Sequence, residues 1–419
     1  MALHSLHVGW IVDGTGNTPK RNMILEIEGD RLRGIFPPRG KFLRESPGDL
    51  TRFTLLPALV DAHVHLLLSG SADSDIRRHQ LRFSFREAAA VVEHHIHDHI
   101  AHGVLILRDG GDYGGYALRF KREVLLPSDP PIRLVAAGKG WHAAGRYGRL
   151  VGRPPLKGRT LAASIRETRD GAEVVKIVHS GINSLSAFGK ETPSQFPASE
   201  LKRAIEAARG LGLRTMVHAN GPGPVREALD AGCDSIEHGF LMGRDNLRRM
   251  ADRGITWVPT VFTMEAYARI LPPGSREAEA ARRYLDHQLE QIRLAREWGV
   301  SLAVGTDAGS PGVHHGTAVQ EEIRLLMRAG YPLEEAIRCA TEQGAALCGY
   351  QGKVGRLAAG WEATFIVIRG GPEELPGALA SPEKIYFKGR PLEEIEGKPG
   401  PEAPNRRQRF RADSKIRTP

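Results

Sequence analysis

The chain has 419 residues, of which 41% are hydrophobic and 26% are charged, an ordinary composition for a globular protein. No window approaches the ~18 continuous apolar residues that a membrane span needs, and the N-terminus lacks the pattern of a signal peptide. Three scattered cysteines are too few for a disulfide framework or a thiolate metal site and fit a reducing compartment. We therefore predict a cytoplasmic protein with no membrane partner.

The net charge of +9 is unevenly distributed. Residues 401–419 carry six basic and two acidic side chains, a net charge of +4. Basic tails of this kind are usually solvated and disordered. A nucleic-acid surface would also need stacking aromatic side chains, and this tail offers only Phe410. We predict a disordered basic tail over residues 399–419 and no nucleic-acid partner.

The first 54 residues show strand-like alternation and turns, without a helical stripe. From residue 55 onward, apolar strands alternate with helical segments over about 250 residues, which argues for a parallel sheet closed as a (β/α)8 TIM barrel. Eight strands are predicted, at residues 55–65, 104–108, 132–137, 173–179, 213–219, 235–238, 255–261 and 301–306. The strand pattern returns after residue 353. We predict an α/β protein whose barrel spans 55–353 and whose two ends, 1–54 and 354–398, form a small flanking β-sandwich.

Two histidines stand at the end of the first barrel strand. His63 and His65 are separated by Val64. Alternate side chains of a strand share one face, so both imidazoles point the same way and form half of a metal site. Taken alone, the pattern also fits two unrelated surface histidines.

Polar residues stand at the ends of four later strands, the place where barrels of this class concentrate their functional groups. These residues are Lys176, His218, His238 and Asp307. Each one alone is compatible with a structural polar residue. Six candidates at corresponding positions on five strands predict a single site.

Several motifs around these residues resemble those of the amidohydrolase superfamily, in its imidazolonepropionase-like and prolidase-like branch. The matching segments are residues 57–65 (PALVDAHVH), 108–111 (RDGG), 175–177 (VKI), 217–219 (VHA), 236–239 (IEHG), 305–309 (GTDAG) and 355–364 (GRLAAGWEAT). The likeness covers nearly the whole chain except the basic tail. It implies a binuclear metal-dependent hydrolase on a TIM barrel with a flanking β-sandwich, and a homo-oligomer is compatible with it.

The resemblance also implies roles for single residues. The ligands would be His63, His65 and Asp307 for one metal and His218 and His238 for a second. Lys176 would bridge the two metals as a carbamate formed with carbon dioxide, because an ammonium cannot ligate a cation whereas this anion can. Zinc is the default metal for imidazole and carboxylate ligands, with manganese, iron or cobalt as substitutes.

The implied reaction is cleavage of an amide (C–N) bond in a small molecule, such as a dipeptide or an N-acyl amino acid. A metal-bridging hydroxide would attack the carbonyl carbon, and Asp307 would carry its proton to the leaving amine. His142 is the candidate for stabilising the developing oxyanion, although Lys139 and Trp141 depart from the usual loop. Arg146 is the candidate for binding a substrate carboxylate; solvated loop charges are the alternative.

A second group of histidines lies within residues 94–102, on the helix before the second barrel strand. His95, His99 and His102 share one helix face by their spacing. We predict a solvated helix here rather than a metal site.

Two other functions stay open. A mononuclear deaminase or cyclic-amide hydrolase would typically lack the bridging lysine, so Lys176 argues against it. A non-catalytic scaffold on the same fold would be favoured by loss of ligands, and none is lost here.

Overall fold

A computed structural model describes residues 3–38, 49–168 and 170–395. The basic tail predicted for 399–419 lies outside the described residues. Within the described ranges no helix is both long enough and apolar enough to cross a membrane.

The strands are numbered in chain order. They are β1 (Leu3–Ile11), β2 (Lys20–Glu28), β3 (Arg31–Phe36), β4 (Asp49–Pro57), β5 (Leu59–Val64), β6 (Val104–Asp109), β7 (Arg133–Ala136), β8 (Gly140–Trp141), β9 (Gly152–Arg153), β10 (Val174–Val178), β11 (Arg214–Ala219), β12 (Ser235–His238), β13 (Thr256–Val258), β14 (Phe365–Arg369), β15 (Lys384–Phe387) and β16 (Arg390–Pro391).

The helices are numbered in the same way. They are α1 (Ser74–Gln80), α2 (Phe85–Ala101), α3 (Tyr116–Phe120), α4 (Leu126–Ser128), α5 (Leu161–Glu167), α6 (Ala198–Gly210), α7 (Pro222–Ala231), α8 (Arg244–Arg253), α9 (Phe262–Ile270), α10 (Arg276–Glu297), α11 (Ala318–Arg328), α12 (Leu333–Arg338), α13 (Gly344–Leu347) and α14 (Leu392–Ile395). Short π-helices at Lys121–Leu125 and Cys339–Gln343 join neighbouring helices.

Both ends of the chain enter one seven-stranded sheet, in the order β16-β15-β14-β4-β1-β2-β3. The join is antiparallel pairing of β14 with β4, from Phe365 opposite Pro57 to Arg369 opposite Phe53. Alternating residues of its strands form a separate apolar cluster that includes Val8, Leu25 and Phe365. Among the described residues, strands from the two ends of the chain therefore belong to a single hydrogen-bonded sheet.

The strands between these ends are parallel. They form one sheet of order β5-β6-β7 and another of order β13-β12-β11-β10-β8-β9. A backbone hydrogen bond from Glu173 to the carbonyl oxygen of Ala136 (3.0 Å) links the segments at β7 and β10. Strands β5, β6 and β10 are buried throughout, as expected when helices cover a parallel sheet.

The last predicted strand, residues 301–306, is not a regular strand. It is bonded on both sides, since Ala303 N donates to Trp257 O and Ala62 N donates to Val304 O, each at 2.9 Å. The ladder is interrupted because Val304 N instead donates to Cys339 O in the π-helix (3.0 Å). The segment nevertheless lies between β13 and β5.

Candidate metal centre

The structure brings the six predicted ligand residues together at the carboxyl ends of the parallel strands. Nε2 of His63 and Nε2 of His65 lie 3.5 and 3.4 Å from Asp307 Oδ1. Donor atoms of these three residues all lie within 4.8 Å of one another. Both imidazoles are buried, and 15% of the Asp307 side chain is exposed. One cation could therefore contact all three.

The other three candidates lie beside this group. The rings of His218 and His238 are 4.6 Å apart, and His238 is 5.0 Å from the ring of His63. Lys176 Nζ lies 3.2 Å from His63 Nε2, and the amine also acts electrostatically on His218 and His238, so it is near both sets of donors. Most of these residues are far apart in the sequence. They are neighbours because the carboxyl ends of the parallel strands lie at the same edge of the sheet.

Hydrogen bonds on the far ring nitrogen orient most of the histidines. Nδ1 of His63 bonds Glu237 Oε2 at 2.6 Å, Nδ1 of His65 bonds Gly111 O at 2.8 Å, and Nδ1 of His238 bonds Thr260 Oγ1 at 2.7 Å. Because each of these bonds uses Nδ1, the Nε2 atom is left to bind a metal ion. Proteins commonly orient metal-binding imidazoles in this way. His218 is reversed: its Nε2 lies 3.1 Å from Gly181 O, which leaves Nδ1.

Glu237 and Arg108 form a buried ion pair behind His63. Arg108 donates from Nη2 to Glu237 Oε1 (2.8 Å) and from Nε to Ala62 O (2.7 Å), and Ser235 Oγ also bonds this carboxylate. All of these side chains are essentially inaccessible. Sequence reasoning assigned them no role, although a charged residue inside an apolar strand signals a buried partner.

Two site residues have left-handed backbone conformations. The φ angle is +67° at His238 and +57° at Asp307, which is uncommon for residues other than glycine. Asp61 holds the turn before Asp307, because its Oδ1 accepts from Thr306 N (3.0 Å) and its Oδ2 accepts from Thr306 Oγ1 (2.6 Å). Backbone strain of this kind persists only where surrounding contacts impose it.

Burial shifts the ionisation of these groups toward their neutral forms. It lowers the pKa of His65 and of His218 to about 3 and that of His63 well below its usual value. It lowers the pKa of Lys176 to about 8 and raises that of Asp307 to about 6. Neutral imidazole is the form that binds metals, so the donor set fits divalent cations in both chemistry and protonation.

A cavity of about 710 Å³ opens over these residues. Besides five of the six candidate ligands, its walls carry the cationic side chains of Arg77 and Lys190 and the phenols of Tyr147 and Tyr267. Apolar side chains such as Phe240 complete it. This volume suits a small-molecule substrate.

Comparison with known proteins identifies the family. The model of the amidohydrolase family matches residues 54–394, most of the chain. This chain belongs to the amidohydrolase family. Membership confirms the predicted superfamily and makes the chain a hydrolytic enzyme that acts on carbon–nitrogen bonds.

Individual amidohydrolases resemble the chain over most of its length. Ochratoxinase of Aspergillus niger is 26% identical and covers 92% of this chain and 86% of its own length. Imidazolonepropionase of Rubrobacter xylanophilus is 24% identical, covering 82% of this chain and 84% of its own. A crystal structure of a Xaa-Pro dipeptidase with bound methionine in the active site matches with a TM-score of 0.78 at 25% identity, covering 93% and 99% of the two chains. These neighbours imply a TIM-barrel-like α/β fold.

Two further predicted site residues of this amidohydrolase lie apart from the cavity wall. His142 is buried, its Nδ1 contacts Ala143 O at 2.9 Å, and its Nε2 has no hydrogen-bond partner among the described residues. Arg146 is exposed, and it does not line the cavity. Among the described residues, neither side chain hydrogen-bonds or ion-pairs with the six ligand candidates, so their proposed roles remain predictions.

The histidine-rich helix differs from the prediction. His94 and His97 on α2 are exposed, but His95 and His99 are buried, which contradicts a wholly solvated helix. The reason is packing: His95 Nδ1 bonds Leu66 O at 2.8 Å, directly after the His63-Val64-His65 segment. This face of α2 therefore supports the segment that follows β5, directly after His65.

Proposed function

We propose that this amidohydrolase is a binuclear metal-dependent enzyme that cleaves an amide bond in a small molecule such as a dipeptide or an N-acyl amino acid. One observation carries the proposal: Lys176 Nζ lies 3.2 Å from His63 Nε2 in one set of donors, and it acts electrostatically on His218 and His238, whose rings are paired in the other. A mononuclear site would have no use for a buried lysine at this point.

Lys176 is proposed to hold both metals as a carbamate. Burial lowers the pKa of its amine to about 8, which favours the neutral form that can add carbon dioxide. Zinc is the proposed metal, because imidazole and carboxylate donors suit it. Divalent ions held here would lower the pKa of water toward ~7 and polarise a carbonyl oxygen.

Asp307 is proposed as the residue that moves a proton. Ser310 Oγ donates to its Oδ2 at 2.8 Å, which leaves Oδ1 toward His63 and His65. Burial raises the pKa of this carboxyl to about 6, so it can accept a proton from water and release it to the leaving nitrogen near neutral pH. His142 remains a proposed oxyanion donor.

We also propose that the chain forms a closed barrel with a flanking β-domain. Hydrogen bonds on both sides of residues 301–306, together with the bond between Glu173 and Ala136, support a closed (β/α)8 barrel over 55–353. The ends 1–54 and 354–398 would form the flanking β-domain. A homo-oligomer and a cytoplasmic location remain predictions.

The named relatives support an amide as substrate. A Xaa-Pro dipeptidase and an ochratoxinase are among the matching proteins. The test is a screen of dipeptides, N-acyl amino acids and lactams with metal-loaded protein. Turnover restricted to lactams or aminated rings would instead favour the cyclic-amide hydrolase or deaminase.

Substitution of Lys176 tests the binuclear centre. We expect about two divalent ions per wild-type chain, and loss of most metal and activity in Lys176→Ala, because the bridging ligand is removed. Short-chain carboxylic acids should partly restore the activity by replacing the carbamate. The measurements are metal analysis and amide hydrolysis.

Lys139→Ala is the matched control, since Lys139 lies outside the cavity over the metal centre. It should keep both metal and activity. Full metal content and activity in Lys176→Ala would contradict the binuclear model.

A further inference from the structure

Two cationic side chains, Arg77 and Lys190, line the cavity over the metal centre. Asp307 is the one carboxylate among the described lining residues, and Lys176 would add one negative charge as a carbamate. Two divalent ions held here would make the site positive as a whole. A cavity of this charge favours a substrate with an anionic group.

Arg77 is the cation whose position is fixed. It lies on α1 and is half-buried, and its Nη1 donates to Gly309 O at 2.8 Å and to Ser71 O at 3.4 Å. Within the described part of the chain, it makes no ion pair with a carboxylate, unlike its neighbour Arg78, which pairs with Asp75. Its guanidinium is therefore held in place and left with donors for a ligand.

Three other groups of the cavity interact electrostatically with Arg77. They are Asp307, Tyr147 and Tyr267. Gly309, which anchors the guanidinium, is only two residues beyond Asp307. Arg77 therefore stands on the Asp307 side of the cavity, and the two phenols offer additional donors there.

The chemistry of amide cleavage places a carboxylate on this same side. The oxygen of water bonds to the carbonyl carbon, the carbon–nitrogen bond breaks, and a proton of that water reaches the leaving nitrogen through Asp307. When the leaving group is an amino acid, its α-carboxylate is attached to the carbon next to that nitrogen. A group that binds this carboxylate must therefore lie beside Asp307.

We propose that Arg77 binds the α-carboxylate of the leaving amino acid and so selects substrates with a free C-terminal acid. The proposal rests on the proposed amide hydrolysis and assigns its specificity to one residue. Guanidinium binds carboxylate through paired, charge-assisted hydrogen bonds. Lys190 fits less well, because it is an exposed point charge after β10, and Arg146 lies outside the cavity wall.

The test compares acids with amides. All 20 N-acetyl amino acids are screened by acetate release, and the best is compared with its C-terminal amide in wild type, Arg77→Met and Arg77→Lys. Wild type should prefer the acid. Arg77→Met should lose that preference through a KM about 10- to 100-fold higher for the acid, with the amide reaction unchanged. Arg77→Lys should keep part of the preference.

Arg78→Met is the matched control on the same helix, because Arg78 does not line the cavity. It should behave like wild type. Preserved amide hydrolysis in Arg77→Met shows that the variant is folded and its metal centre intact. Equal use of acid and amide by wild type would overturn the inference, as would loss of preference in Arg146→Met but not in Arg77→Met.

A binding measurement separates failure of this inference from failure of the proposed function. Calorimetry on Asp307→Asn, in which we expect slow turnover, compares the affinities of N-acetyl-leucine and N-acetyl-leucinamide with and without Arg77→Met. Acid-selective binding that depends on Arg77, without hydrolysis of any amide by wild type, would contradict only the proposed function. If wild type hydrolyses the acid and the amide equally well, and binding also does not distinguish them, only the role of Arg77 would be contradicted.

Discussion

At single side chains of the metal centre, burial shifts the pKa of acids and bases in opposite directions, in each case toward the neutral form. The same desolvation that lowers the pKa of Lys176 to about 8 raises the pKa of Asp307 to about 6. Both pKa values therefore lie closer to neutral pH, where a small change in the surroundings alters the protonation of the two groups. This suits a lysine that must lose its proton and a carboxylate that must exchange one.

Asp307→Asn should reduce turnover far more than stability. The amide preserves the shape of the side chain and one oxygen donor, but it cannot carry a proton to a leaving nitrogen. We expect turnover to fall by at least ~10², the scale of general acid–base catalysis. Steady-state kinetics and a thermal melt check the two expectations.

Ser310→Ala is the comparison variant for that experiment. It removes only the hydrogen bond to Asp307 Oδ2 and should have a smaller effect on turnover. A nearly normal rate in Asp307→Asn would show that another base moves the proton.

Glu237→Gln should weaken metal binding although Glu237 is not a proposed ligand. The carboxylate accepts from His63 Nδ1 at 2.6 Å, and this contact both orients the ring and increases its basicity. We expect about 10- to 100-fold lower metal affinity, measured by competition with a chelator.

Glu227→Gln is the matched control. Glu227 also bonds a buried histidine, His179, at 2.9 Å, but outside the six-residue centre. Its metal affinity should stay at the wild-type value. Unchanged affinity in Glu237→Gln would mean that packing alone orients His63.

Among the larger elements, the segment at residues 301–306 shows how closely two parts of the chain approach behind the metal centre. A Cβ atom added at Gly305 would lie 2.4 Å from Val258 Cγ1 and 2.8 Å from His63 Cβ. Contacts this short do not occur in folded proteins, so one of the neighbours would have to move. Glycine is required here by close approach rather than by a special backbone angle.

Gly305→Ala should therefore destabilise the protein and displace His63. Overpacking of this kind typically costs about 1–3 kcal/mol of unfolding free energy. Urea unfolding and metal analysis check the result, and we expect both stability and metal content to fall.

Gly210→Ala is the control, because an added Cβ at this helix terminus meets no atom within 4 Å. It should be neutral or slightly stabilising, since alanine restricts the unfolded chain. A Gly305→Ala protein as stable and metal-rich as wild type would refute the close approach.

For the molecule as a whole, the buried histidines make stability depend on pH. Seven buried histidines have a lowered pKa in the folded protein, namely His63, His65, His95, His179, His218, His238 and His315. In the unfolded chain their pKa returns to ~6.5, so as pH falls below that value the unfolded chain binds protons that the folded protein does not. Their contribution to stability is therefore present above pH ~6.5 and lost on acidification.

Buried carboxyls oppose this trend. Asp109, Asp112, Asp307 and Glu322 have a raised pKa, so they bind protons in the folded state over the same range. The histidines outnumber these carboxyls, so the unfolded chain binds more protons than the folded protein on acidification. We expect the unfolding free energy of the metal-free protein to fall as the pH is lowered from 7 to 5.

Urea unfolding at pH 7, 6 and 5 measures this dependence. The same series with saturating zinc should be steeper, because metal binding requires deprotonated ligands. A free energy that is constant or higher at pH 5 than at pH 7 would contradict the expectation.

The sequence by itself determined the class of fold and the set of ligand candidates. Strand ends are readable because apolar runs stop abruptly, and a histidine, lysine or aspartate at each stop is visible without coordinates. The candidates identified in this way are His63, His65, Lys176, His218, His238 and Asp307. The parallel arrangement follows from the alternation of strands and helices, since parallel neighbours need a crossover.

Only the tertiary structure decided which other residues share that site. Arg77 and Arg146 are both arginines in basic surroundings, yet one lines the cavity and the other is exposed. Glu237 supports His63 across 174 positions of sequence, and His95 is buried because a loop packs over it. Contacts of this kind depend on how elements pack, and local pattern carries no information about packing between distant segments.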